Sequence, residues 1–145
     1  MIYIHIPFCK SRCLYCDFFS TTSSELKDDF VKALLKEIEG RAEELRFARA
    51  NTIYIGGGTP SQLDAKHLTD IFGALQRVAP LQDGAEVTIE CNPDDITPEF
   101  VDALKATPVN RVSMGVQTFD DNLLRLLRRR HTSAQAHRAV SLLRE

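Results

Sequence analysis

Short β-rich apolar runs alternate with longer stretches whose apolar residues recur three or four positions apart, and this switch of period restricts the chain to an α/β fold. Ile2-Tyr3-Ile4-His5-Ile6 alternates as a strand does. Thr22-Ser23-Ser24-Glu25 has the form of a capping box, and the helix it would open runs through Leu26, Phe30, Leu34, Ile38, Ala42 and Leu45. A second strand, Thr52-Ile53-Tyr54-Ile55, ends in Gly56-Gly57-Gly58-Thr59-Pro60, and Asp64 caps a helix built on Leu68, Ile71, Phe72, Leu75 and Val78. The third strand spans Glu86 to Cys91, after which Thr97-Pro98-Glu99 opens a third helix with proline at its first position. A fourth strand spans Arg111 to Val116, followed by helical patterns at 120–127 and 133–144.

Such alternation implies parallel strands joined by right-handed helical crossovers. The 145 residues fit one domain at ~150 residues per domain. A closed eight-stranded barrel needs ~250 residues, so four βα units make roughly half of one. The final Ser141-Leu142-Leu143-Arg144-Glu145 runs on in a helical pattern without a cap. The expectation is a partial (β/α) barrel, with 1–145 as the N-terminal part of a core domain whose remaining units and C-terminal domain lie outside the chain. A self-contained, open four-stranded sheet is the rival architecture.

Eighteen Lys and Arg against twenty Asp and Glu give a net charge of −2, which leaves no global electrostatic case for a nucleic-acid or membrane binder. The apolar start, Met1 to Cys9, is broken by His5 and Pro7 and has no charged signal-peptide region, and no stretch approaches ~18 apolar residues. A cytoplasmic location follows as the expectation, with membrane contact only through partners. In a reducing compartment, four cysteines read as ligands or buried hydrophobes rather than disulfides.

Three of those cysteines fall within eight residues, as Cys9-Lys10-Ser11-Arg12-Cys13-Leu14-Tyr15-Cys16 in the loop after the first strand. Thiolates are soft ligands that favour Zn, Cu(I) or iron–sulfur clusters. Structural zinc takes four ligands, usually as two close pairs, and the chain offers no second pair. His5, on the strand, would point away from the hub of the loop. Three thiolates on a four-iron cubane leave one iron open to a ligand. Burial of all three in a core fits poorly with Lys10, Ser11 and Arg12 between them, whereas the isolated Cys91 reads as a packing residue.

The glycines after the second strand allow close approach of a ligand to the backbone, on the strand edge that the cysteine loop shares. They form neither a dinucleotide fingerprint nor a phosphate loop. Glu90 and Gln117, at the ends of the third and fourth strands, could bind an amine, a carboxylate or ribose hydroxyls, or could cap the helices that follow. Met114 and Val116 read as core. Arg125, Arg128, Arg129 and Arg130, with His131, make a local basic patch; a solvated helix face accounts for three of the four arginines, and His67 and His137 read as surface residues.

Taken together the motifs resemble a known family. Tyr3-Ile4-His5-Ile6-Pro7-Phe8-Cys9 with Cys13 and Cys16 is similar to the cluster loop of the radical S-adenosylmethionine (SAM) superfamily. Ile55-Gly56-Gly57-Gly58-Thr59-Pro60, Ile89-Glu90-Cys91-Asn92-Pro93 and Ser113-Met114-Gly115-Val116-Gln117-Thr118-Phe119 resemble its branch of heme chaperones (HemW) and oxygen-independent coproporphyrinogen III oxidases. The resemblance spans essentially all 145 residues.

It implies a radical SAM barrel carrying a [4Fe–4S] cluster on Cys9, Cys13 and Cys16, whose open iron chelates S-adenosyl-L-methionine and whose electron releases a 5′-deoxyadenosyl radical. Tyr3 and Tyr15 would border the cofactor. Gly57, Gly58 and Thr59 would hold its methionine end, Glu90 and Gln117 its polar groups, and Arg129 its carboxylate; no side chain receives a catalytic role. The partners implied are heme or a porphyrinogen, recipient hemoproteins and a reductant protein such as flavodoxin or ferredoxin. The oxidases carry a fourth cysteine two residues after the third, and here that position is Phe18, so the pattern favours heme binding and delivery over oxidative decarboxylation of propionates to vinyl groups. An inactive fragment, with strand edges and apolar faces uncovered and prone to self-association, is a further alternative.

Overall fold

The computed structural model describes residues 1–47 and 51–145. Four strands, β1 (Ile2–Ile6), β2 (Thr52–Gly57), β3 (Glu86–Cys91) and β4 (Arg111–Met114), form one parallel sheet in the order β1-β2-β3-β4. Helices fill the crossovers that parallel pairing demands: α1 (Lys27–Gly40) and α2 (Ala42–Phe47), α3 (Ala65–Val78), and α4 (Pro98–Lys105). After β4 come α5 (Asp121–Leu126) and α6 (Ser133–Arg144).

The core lies on one face of the sheet. Ile2, Ile4, Ile6, Ile53, Ile55, Val87 and Ile89 meet Val31 and Ile38 of α1, the Leu68-Ile71-Phe72-Leu75-Val78 stripe of α3, and Val101 and Leu104 of α4. Each fully buried Leu or Ile contributes ~1.5–3 kcal/mol relative to exposure, so this layer dominates the stability. The opposite face carries register-matched rows, Tyr3-Tyr54-Thr88-Arg111 and His5-Gly56 with Glu90-Ser113. That face is polar and aromatic.

Several local expectations are corrected. Thr22-Ser23-Ser24-Glu25 forms no capping box. Ser23 N–H donates to Thr21 Oγ1 and Ser24 N–H to the Thr22 carbonyl, and Leu26 N–H closes a single 3-10 turn (Ser24–Leu26) on the Ser23 carbonyl before α1. The single helix expected from Leu26 to Leu45 breaks at Arg41 (φ −98°, ψ 16°), behind Gly40, a weak helix residue. β4 ends at Met114 rather than Val116, because Val116 N–H turns back to the Met114 carbonyl. His67 is buried, not on the surface: it lies on the α3 face toward α1 and bonds Asp28 Oδ1 through Nε2 at 2.9 Å. Met114 and Val116 are half-buried. Asp64 and Thr97 cap α3 and α4 as their positions suggest, by accepting from His67 N–H and Phe100 N–H. Among the described residues, no helix is long and apolar enough to cross a membrane.

Candidate cofactor site at the strand ends

The cysteine loop is closed at its base by two backbone bonds, Cys9 N–H to the Thr21 carbonyl (2.8 Å) and Thr21 N–H to the Pro7 carbonyl (2.7 Å). Leu14 N–H reaches the Leu127 carbonyl, fastening the tip of the loop to the end of α5. Within it, Cys16 N–H turns back to the Cys13 carbonyl. Cys9, Cys13 and Cys16 are all half-buried and unpaired, whereas Cys91 is buried. Burial pushes the Cys91 thiol well above its usual range, which keeps it a neutral packing group. His5 does not join the thiols: its ring bonds the Phe19 carbonyl (2.9 Å) and the Tyr3 hydroxyl (3.2 Å).

The glycine run brings β2 against this loop. Gly58 N–H donates to the Ile6 carbonyl at 2.8 Å, and a Cβ at Gly58 would lie 2.9 Å from the Phe8 carbonyl oxygen. Gly57 holds φ +111°, in a region that favours glycine, and a Cβ there would meet the His5 ring. Thr59, which follows, donates its hydroxyl to Cys9 Sγ at 3.4 Å.

Glu90, near the end of β3, accepts from Tyr54 Oη (2.6 Å) and Gly57 N–H (3.1 Å). The same carboxylate raises the Tyr54 phenol, chiefly through that hydrogen bond. Two positions on, Asn92 bonds Thr59 Oγ1 (3.3 Å) and, through Oδ1, Arg129 Nη2 (2.5 Å).

Arg129 owes its aim to the end of α5. Arg128 N–H bonds the Arg125 carbonyl and Arg129 N–H the Leu124 carbonyl, with Arg128 at φ +57°; this is a Schellman closure with arginine at the left-handed position. The next side chain is thereby turned inward. Arg129 Nη1 donates to Cys13 Sγ at 3.0 Å and Nη2 to the Gly115 carbonyl at 2.6 Å, while its Nε is buried with no partner among the described residues. Gln117, three residues past β4, holds φ +68° inside a turn closed by Thr118 N–H on the Val116 carbonyl. A non-glycine residue held there is strained, and such strain clusters at ligand sites.

These groups enclose a cavity of about 340 Å³ lined by Cys9, Cys13, Cys16, Tyr15, Gly57, Gly58, Thr59, Glu90, Gln117 and Arg129. Ten of the eleven site residues expected from sequence therefore share one wall. Tyr3 stands apart, half-exposed and stacked on Tyr54 at 6.1 Å, one ring removed from Glu90. Tyr15 is half-exposed at the mouth; its phenol is raised by burial, against an opposing pull from Arg129. Two of the four clustered arginines, not three, are solvated. Arg129 turns into the cavity, and Arg130 pairs with Asp94 (2.9 Å) and Asp95 (3.2 Å), both largely buried. His131 is buried at 2 % exposure rather than part of a basic patch; burial and then Arg129 lower its pKa, and its Nε2 bonds the Val116 carbonyl.

The donor set suits an iron–sulfur cluster. Three thiols project from one loop into a cavity, two already receive N–H or O–H donors, and a cation stands beside them, as sulfur ligands of growing negative charge require. Among the described residues, no three His, Cys, Asp or Glu side chains converge on a single metal ion. Asn92 is the site residue that single-residue reasoning passed over. Its sequence signal is a polar residue just past β3, fixed ahead of Pro93.

Comparison with known proteins supplies the context. Residues 3–145 match the family model described as the radical SAM superfamily. The heme chaperone HemW of Lactococcus lactis subsp. lactis (strain IL1403) is 39% identical over 145 residues, covering 99% of this chain and 37% of that protein. The HemW of Escherichia coli (strain K12) is 39% identical over 144 residues, covering 97% and 38%. Among solved structures, the coproporphyrinogen III oxidase HemN of Escherichia coli, a radical SAM enzyme, superposes with a TM-score of 0.90 at 30% identity, over 99% of this chain and 33% of HemN. The chain thus spans 33–38% of the length of these relatives.

Proposed function

The chain belongs to the radical SAM superfamily, and from that premise we propose that it forms the cofactor-binding part of a heme chaperone that holds heme and delivers it to hemoproteins. The family implies a [4Fe–4S] cluster and S-adenosylmethionine, which together supply reductive cleavage of the sulfonium when bound. In this reading Cys9, Cys13 and Cys16 hold the cluster. Gly57 offers its backbone from a conformation that clears space, Gly58 packs β2 onto the cysteine loop, and Thr59 serves Cys9. Glu90 is oriented by Tyr54 and Gly57 with lone pairs left for hydroxyl or ammonium groups of the ligand. Arg129, with a spare buried donor, faces a carboxylate, and Gln117 closes the wall. Tyr15 covers the mouth, and Tyr3 acts through Tyr54.

The observation that carries the chaperone reading is the similarity to HemW proteins, 39% identical along 97–99% of this chain, with Phe18 two residues past Cys16. Phe18 is exposed and lines the cavity mouth, where a side chain without a ligating atom adds nothing to the thiol set. The closeness of the fold to HemN favours a second reading, an oxygen-independent coproporphyrinogen III oxidase. One experiment separates them. The protein from its full reading frame is loaded with heme and mixed with an apo-hemoprotein, and in parallel incubated with coproporphyrinogen III, S-adenosylmethionine and a reductant such as reduced flavodoxin or ferredoxin. Transfer of heme without divinyl product is expected; divinyl porphyrinogen would replace the chaperone reading with the oxidase one.

A further inference from the structure

One amide stands between the two arms that reach the thiols. Asn92 Nδ2 donates to Thr59 Oγ1 at 3.3 Å, and that hydroxyl, with its single proton, donates to Cys9 Sγ at 3.4 Å. Asn92 Oδ1 accepts from Arg129 Nη2, and Nη1 of the same guanidinium donates to Cys13 Sγ at 3.0 Å. Arginine can only donate, so it fixes which end of the amide faces it and leaves the NH2 for Thr59. The backbone of Asn92 is clamped as well: its N–H bonds Ser61 Oγ (3.3 Å) and its carbonyl accepts from Asp95 N–H (3.1 Å). Ser61 in turn donates to Asp95, the partner of Arg130.

Thr59 is 5 % exposed, so the amide rather than water decides the direction of its proton. Facing an NH2, the hydroxyl must accept from Asn92, and its proton is free for sulfur. A carboxylate of the same shape offers acceptors alone. The threonine proton would turn to it, and Cys9 would lose its donor.

We propose that Asn92 is a positioning residue that acts through Thr59 and Arg129 to set the hydrogen bonds on Cys9 and Cys13, and thereby tunes the reduction potential of the centre those cysteines hold. The inference rests on the reading of Cys9, Cys13 and Cys16 as cluster ligands. Donors to cluster sulfurs stabilise the extra electron and raise the potential, so each lost donor lowers it.

The test is a double-mutant cycle on the midpoint potential, followed by EPR during anaerobic redox titration of protein made from the full reading frame. Wild type, Thr59→Val, Asn92→Asp and the double variant are compared. Thr59→Val lowers the potential in the wild-type background and produces no further change in the Asn92→Asp background. An equal drop in both backgrounds, or no drop at all, overturns the proposal, since the added carboxylate would then act by its charge alone. If wild type binds no cluster, the ligand reading itself fails and this inference with it. Should Asn92→Asp not take up iron, the crystal structure of its iron-free form decides: the Thr59 Oγ1 contact to residue 92 contracts to about 2.7 Å, the length of a hydroxyl–carboxylate bond. A distance unchanged from wild type overturns the proposal.

Discussion

Two side chains at the site sit in backbone conformations that glycine would adopt more cheaply. Arg128, at φ +57°, closes α5 and sends Arg129 into the cavity; Gln117, at φ +68°, forms part of its wall. The left-handed conformation costs an L-residue ~1–2 kcal/mol. Arg128→Gly, which keeps the Schellman closure, is therefore expected to leave stability unchanged or raise it by up to about 1 kcal/mol in urea unfolding. Arg128→Val is expected to cost more than about 1 kcal/mol, because a β-branched residue is a marked outlier there. His131 gives a pH signature. Its buried imidazole has a folded-state pKa below the ordinary ~6.5 of the unfolded chain. The unfolded state then binds the extra proton, so the contribution is fully present above pH ~6.5 and is lost as pH falls through the folded value. The His131 contribution to the unfolding free energy rises with pH up to about 6.5, and His131→Gln flattens that slope in unfolding measured as a function of pH.

At the scale of elements, the glycine run is where β2 and the cysteine loop are fitted together. A Cβ at Gly58 would press on backbone atoms of Pro7 and Phe8 at 2.9 Å, which cannot rotate away. Gly58→Ala is expected to destabilise by about 1–3 kcal/mol, the usual cost of overpacking, and to lower iron uptake by displacing Cys9; intact uptake at wild-type stability would refute the fit. The elements themselves were largely legible. β1 and β3 could be bounded because their apolar residues alternate into a single helix layer, and Asp64 and Thr97 could be recognised because a cap is a local bond. The cysteines and glycines pointed to the candidate cavity because few other roles suit such clusters at the ends of β1 and β2. What escaped depends on partners far along the chain: Asn92 on Arg129, Arg130 on Asp94 and Asp95, His131 on Val116. The capping-box motif failed for the converse reason, that the chain forms local turns there: Ser23 and Ser24 N–H bond back to Thr21 and Thr22, and a 3-10 turn precedes α1.

Across the whole molecule, the segment between α5 and α6 is bound to the end of β3 by the Arg130 ion pairs, with side chains 19 %, 13 % and 6 % exposed. Removing one partner of a buried pair strands the others, so Arg130→Ala is expected to destabilise by about 3 kcal/mol in denaturant unfolding. A solvated arginine would cost less than about 0.5 kcal/mol. Strand order also equals chain order, β1 to β4. On the ribosome, each strand therefore finds its neighbour already made, and assembly can proceed in step with translation, N-terminal units first. The cysteine loop is the exception: the guanidinium that meets Cys13 is encoded 116 residues after it. Until then a nascent chain displays its three thiols without that partner, and the emergence of Arg129 marks the moment at which the cysteine loop gains it.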